Sequence, residues 1–149
     1  MDGAVIDLLL AIAHHVLAFA IAALIAAELA LSRPGLTKAD LPMLGRVDAA
    51  YGACAGLIIL VGIGRVLFGL KGWEFYVYNP AFWLKMAAFA TVGLLSIAPT
   101  RTILRWRRAG LAQVPELEII GVRRWLKLEA GVFVLILIFA AAMARGIGM

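Results

Sequence analysis

His14 and His15 stand side by side in a long apolar run, and they are the only two histidines of the chain. A neutral imidazole is the commonest protein metal ligand and a frequent axial ligand of haem iron. In a helix rising about 1.5 Å per residue, the pair lies roughly 15 Å from the start of the run, near the middle of a bilayer's hydrocarbon core. Neighbouring helical residues point about 100° apart, so the two rings cannot easily share one ion. One is expected to enter the bundle while the other braces a neighbour or faces a second subunit. Three uses stay open: a haem or metal ligand, a packed histidine hydrogen-bonded to another helix, or a proton relay.

Other ionisable groups in apolar runs carry the same default of function, because charge is costly in hydrocarbon. Asp7, His14 and Glu28 are separated by multiples of seven residues. That spacing drifts only about 20° per step on a straight helix, so the three share a stripe. The stripe reads either as an inward polar face or as two end residues that reach water. Arg65 and Lys85 are expected at the level of Asp7. They read as an ion pair with a spare charge, as an anion site, or as long side chains snorkelling to the interface. A haem beside His14 or His15 would need such cations for its propionates. At the opposite level, Glu28, Arg46, Asp48, Lys127 and Glu129 are expected to form interfacial ion pairs. Ser96 and Thr100 are expected to satisfy backbone groups freed by Pro99.

Other chemistry is sparse. There is no phosphate loop, no HExxH and no nucleophile–base–acid set. The single cysteine, Cys54, rules out an intrachain disulfide and gives no thiol cluster for zinc or iron–sulfur. It reads as a small core residue.

The elements that position these residues follow from hydropathy. Of 149 residues, 64% are hydrophobic, against about 45–50% in soluble domains on a comparable count. The excess falls in four runs, each near the roughly 20 apolar residues that cross a bilayer. The sequence therefore predicts an all-α integral membrane four-helix bundle, a single transmembrane domain over 1–149, with helices about 5–31, 46–68, 80–101 and 126–144. Asn79-Pro80 reads as an N-cap followed by proline at the first helical position. Pro99 is expected to kink or end the third helix. No Lys or Arg precedes Arg33, so the first run is expected to stay in the mature protein rather than serve as a cleaved signal.

Loop charges set the expected orientation. Arg33, Lys38 and Arg46 lie between helices one and two, and Arg101, Arg105, Arg107, Arg108, Arg123 and Arg124 between three and four. The positive-inside rule places both loops in the cytoplasm and both termini outside. Trp73, Tyr76, Tyr78 and Trp83 at one level, and Trp106 and Trp125 at the other, read as interfacial belts. The net charge of +5 is better matched to topology and anionic lipid than to nucleic acid. Gly52 and Gly56 form a GxxxG pair beside Ala49 and Ala53, which serves either packing within the chain or a homodimer.

The stretch His14-His15-Val16-Leu17-Ala18 resembles a family of small bacterial four-helix membrane proteins, as do Asn79-Pro80-Ala81-Phe82-Trp83-Leu84-Lys85 and Gly93-Leu94-Leu95-Ser96-Ile97-Ala98-Pro99-Thr100. The resemblance covers nearly the whole chain. That family is distantly similar to the CopD-like group, which includes HemJ-type haem-binding proteins and copper-resistance membrane proteins. The resemblance implies a multi-pass protein of the bacterial inner membrane and, through the HemJ type, haem b. His14 or His15 would match a helix-one histidine there, and Lys85 a helix-three lysine. HemJ-type proteins carry further histidines that this chain lacks, so ligation would use one histidine with a weaker ligand or histidines from two subunits. Three functions remain in play: a haem b-binding membrane protein with a redox, oxidoreductase role; a small transporter or metal-handling protein; and a non-catalytic subunit or assembly factor. The chain lacks the Met-rich or Cys pairs that suit soft copper sites.

Overall fold

The computed structural model describes residues 2–145. Five helices follow one another: α1 (Gly3–Leu31), α2 (Leu41–Phe68), the short α3 (Gly72–Val77), α4 (Pro80–Ala109) and α5 (Glu116–Ala144). No strand occurs among the described residues; Thr37 and Gln113 form one isolated antiparallel bridge. α1, α2, α4 and α5 are long and apolar enough to cross a membrane. Phe19, Leu60, Leu94 and Ile138 all turn outward. Such a surface suits hydrocarbon rather than water as its solvent.

Local sequence sets the ends. Asp2 accepts the Ala4 N–H at the start of α1. Asn79 accepts the Ala81 N–H at 2.9 Å and Pro80 opens α4, as its sequence predicts. Gly110 closes α4 with φ 64, a left-handed conformation that glycine adopts without a Cβ penalty. Glu116 and Glu118 occupy the first turn of α5, where carboxylates offset the helix dipole. Asp40 precedes α2 and turns back, accepting from the Thr37 N–H at 3.0 Å and the Thr37 hydroxyl at 2.8 Å. Those bonds hold its carboxyl below the usual aspartate range.

Three boundaries differ from expectation. α2 begins at Leu41, before Arg46, because Pro42 fits a first turn. α4 passes through Pro99 to Ala109; Pro99 is fully buried there, and packing holds the helix together across the missing N–H. α5 begins at Glu116, where Pro115-Glu116 itself reads as a helix start, and the lead-in carrying Arg123, Arg124 and Lys127 is continuous with the span instead of feeding one that starts near 126. α3, in the loop between α2 and α4, has no counterpart among the expected elements.

The four spans form a ring. α1 packs along α2 and α4 along α5; α1 meets α5, and α2 meets α4, over shorter stretches. Two clusters fill it. One lies at the end bearing the two basic loops, here the basic end, and includes Leu36, Leu44, Ile103, Trp106, Ile119 and Leu126. The other lies deeper and includes Ile21, Ile25, Tyr51, Ile58, Val92 and Phe133. Trp106 belongs to the first cluster and is not interfacial: it is 1% exposed, and its indole N–H donates to Glu118 Oε2 at 2.6 Å. A strap closes the basic end, with Lys38 N–H donating to Ala112 O and Val114 N–H to Leu36 O. Arg123 adds a clamp, donating to the carbonyls of Leu29 at 2.7 Å and Ser32 at 2.8 Å.

Candidate functional site

Three carboxylates from three helices turn into the basic-end half of the ring: Glu28 from α1, Asp48 from α2 and Glu129 from α5. Their exposures are 3%, 8% and 1%. They lie close enough for the charge of Asp48 to act on both Glu28 and Glu129. The Tyr51 hydroxyl sits between Glu129 and Ser96. Thr100 donates to Asp48 Oδ1 at 2.6 Å. One oxygen each of Glu28 and Glu129 is buried without a partner.

This overturns the expectation of interfacial pairing. Arg46 and Lys127 are exposed, and no ion pair joins them to the acids among the described residues; the pairs formed there are Arg33–Asp40 and Arg105–Glu118. The reason is rotational. Glu28 and Glu129 fall on the inward stripes of their helices, whereas Arg46 and Lys127 fall on the outer faces. Arg107 is the cation that bears on Asp48. Its guanidinium lies across Gly45, one turn before Asp48, where an added Cβ would meet its Nη1 at 2.7 Å. Thr100 likewise serves Asp48 rather than the backbone around Pro99, while Ser96 does bond backbone, donating to Gly93 O at 2.8 Å.

A second polar set occupies the other half. His14 is half-buried, with Nδ1 sequestered and unpartnered. Its Cε1 lies 3.7 Å from the position a Cβ would take on Gly62 of α2. Lys85 and Arg65 are near enough for their charges to bear on the ring. Arg65 Nε is also buried without a partner, and Lys85 Nζ lies 5.5 Å from the Phe82 ring centroid. Asp7 Oδ1 lies against Gly69; no carboxylate comes within ion-pair distance of Arg65 or Lys85 among the described residues. His15 is exposed, and its Nδ1 is 2.7 Å from Ala11 O. The two imidazoles stand 6.5 Å apart at 81°. The structure thus gathers His14, Arg65 and Lys85, and leaves His15 outside. Of the stripe, Asp7 is half-buried and Glu28 buried, so Glu28 does not reach water.

Between α2 and α4 a cavity of 340 Å³ runs into the bundle. Asp48, Tyr51, Ser96 and Thr100 line one end; Gly52, Gly56, Ile59, Phe89, Val92 and Gly93 line the rest, and Ile21 and Phe133 reach it from α1 and α5. A Cβ on Gly52, Gly56 or Gly93 would meet nothing within 4 Å. The GxxxG pair therefore does not pack helices within this chain. Close approach of α1 to α2 falls instead at Gly62 and Gly64, the latter leaving 3.3 Å to Leu10 Cδ2.

Sequence reasoning named Asp48 and Glu129 but assigned them to the interface, and it passed over Tyr51. The available signal was spacing: Asp48 and Tyr51 share one face of α2, three residues apart.

Four membrane-length helices around an apolar core that holds two polar sets define a polytopic α-helical membrane protein. More particularly, the chain belongs to the family described as predicted membrane protein (DUF2214), whose model matches residues 6–148. No curated protein and no solved structure matches it.

Proposed function

We propose that this membrane protein is a small transporter that loads protons, and cations in exchange for them, at Glu28, Asp48 and Glu129. The observation that carries this reading is the burial of three carboxylates from three helices with a single basic side chain, Arg107, bearing on one of them. Several negative charges side by side in hydrocarbon need neutralising by bound protons or a bound cation. Among the described residues no three His, Cys, Asp or Glu converge to hold a metal ion, which favours a proton or an organic cation over a coordinated metal. The positive-inside rule supports an orientation with the basic end in the cytoplasm, as in a bacterial inner membrane protein. The test is proton uptake into pyranine-loaded proteoliposomes that hold tetramethylammonium inside and none outside. Wild type should acidify the lumen, and Glu129→Gln should slow it at least about tenfold, an effect of about 1.4 kcal/mol. Equal rates in wild type, Glu129→Gln and empty liposomes would remove the reading.

A second reading rests on the other polar set. A buried, unpartnered imidazole nitrogen flanked by two cations suits an anionic, metal-bearing cofactor, and haem b has that chemistry. His14 would ligate the iron, and Arg65 and Lys85 would hold the propionates. Bound there, haem would supply one-electron redox chemistry and an oxidoreductase role. His15 does not join it from the same chain, because it faces outward. The check is a Soret band after haem-supplied expression: His14→Ala should abolish it and His15→Ala should leave it. A colourless wild-type protein would dismiss haem.

A further inference from the structure

We infer that the α2–α4 cavity is a lateral entrance for a membrane-dissolved organic cation carrying an apolar tail, with its cationic head against Asp48 and Tyr51. The inference rests on the proposed carboxylate site and names its substrate class.

Polarity along the groove is graded. At the basic-end side, Asp48, Tyr51, Ser96 and Thr100 supply a carboxylate and three hydroxyls; farther along, Gly52, Gly56, Ile59, Phe89, Val92 and Gly93 supply only apolar surface. From Asp48 to Ile59 the groove follows about 16 Å of helix, at 1.5 Å per residue. An ammonium with a medium alkyl chain, lying along the membrane normal, matches both the charge and the gradient. Three glycines keep the wall open, since no atom stands within 4 Å of where their Cβ atoms would be. The groove also reaches residues on the far helices, Ile21 and Phe133. Glu129, one turn before Phe133 on α5, is 1% exposed with Oε2 unpartnered. Tyr51, which lines the groove, carries its hydroxyl toward Glu129 on the far helix. A second copy of the chain would cover the glycines but leave that depth and charge unused.

The probe is radiolabelled decyltrimethylammonium, added to the full-length protein in phosphatidylcholine nanodiscs, with empty nanodiscs as the partition background. Saturable binding is expected. Decyl sulfate should not compete. Asp48→Asn and Gly56→Leu should each weaken binding at least about tenfold. Gly56→Leu enters open space, and a single sharp elution peak with wild-type helicity shows that it folds. Non-saturable uptake, or equal affinity in Gly56→Leu, overturns the inference. So does loss of a crosslinked dimer in Gly56→Leu without loss of probe binding, which would assign the groove to a second copy. Proton flux of the same proteins in proteoliposomes separates the two claims: flux without probe binding sinks the entrance alone, whereas absence of both sinks the carboxylate site with it.

Discussion

At the basic end, the two long loops are strapped together, Arg123 clamps α1 to α5, and Trp106 is sealed beneath Glu118. At the other end, α3 lies over a looser assembly in which Trp83 is 56% exposed and its indole N–H reaches Val77 O at 2.9 Å. The acids lie next to the sealed end; His14, Arg65 and Lys85 lie next to the looser one. The acids thus sit beside the end that backbone and side-chain bonds tie together, and the cations beside the end that α3 covers. Under the proposed function, carboxylates that gain and lose charge would need a fixed spacing, whereas cations on long stems adjust to their surroundings.

The contrast can be broken by mutation. Trp106→Ala should cost about 3–5 kcal/mol, since it empties the core of the sealed end and leaves Glu118 with Arg105 as its remaining donor. Trp83→Ala, at the other end, should cost no more than about 1.5 kcal/mol, one hydrogen bond beside an exposed ring. Thermal unfolding in a fixed detergent compares the two, and similar losses would erase the distinction. Arg123→Met should come next, at about 1–3 kcal/mol, because it leaves the carbonyls of Leu29 and Ser32 without their donor.

Glu129→Gln should leave the melting temperature unchanged or raised while transport fails, since it removes a buried charge without removing volume. A marked fall in stability there would recast the acids as structural.

The smallest effect belongs to Asp40, at the surface of the sealed end. Its folded pKa lies below the ordinary aspartate value of about 3.9, so its contribution is present above that pH and disappears as pH falls through the lower folded value. Wild type and Asp40→Asn should therefore differ slightly at pH 6 and converge below about pH 4. A constant gap across that range would assign the effect to the turn rather than to the charge.

Much of the fold is legible in the chain. Four apolar runs demand spans, and Asn79-Pro80 marks the start of α4 unaided. Pro115-Glu116 reads as a helix start as well, and α5 begins at Glu116; the boundaries at Leu41 and Ala109 are not legible, because polar and charged turns extend those helices beyond the hydrophobic stretch that announces them. Pro99 does not end α4, because the helix continues through it to Ala109 with the proline buried. At the site, period-seven spacing puts Asp7, His14 and Glu28 on one stripe of α1. It says nothing about which residues of other helices oppose them. Asp48 and Glu129 look equivalent to Arg46 and Lys127 in a linear reading, and only the rotation of α2 and α5 separates the buried from the exposed. Glycines are ambiguous in the same way: Gly62 and Gly64 let α1 approach, whereas Gly52 and Gly56 line a void.

The strap between Leu36 and Val114 joins two hairpins, α1–α2 and α4–α5, that otherwise touch along short seams. Each hairpin can enter the bilayer as a unit, leaving their docking as the final assembly step. A chain severed between Gly69 and Gly72 keeps both hairpins and the strap, so coexpressed halves should reassemble into a folded bundle. Severing within 34–38 should defeat that reassembly, because it cuts the loop that does the joining.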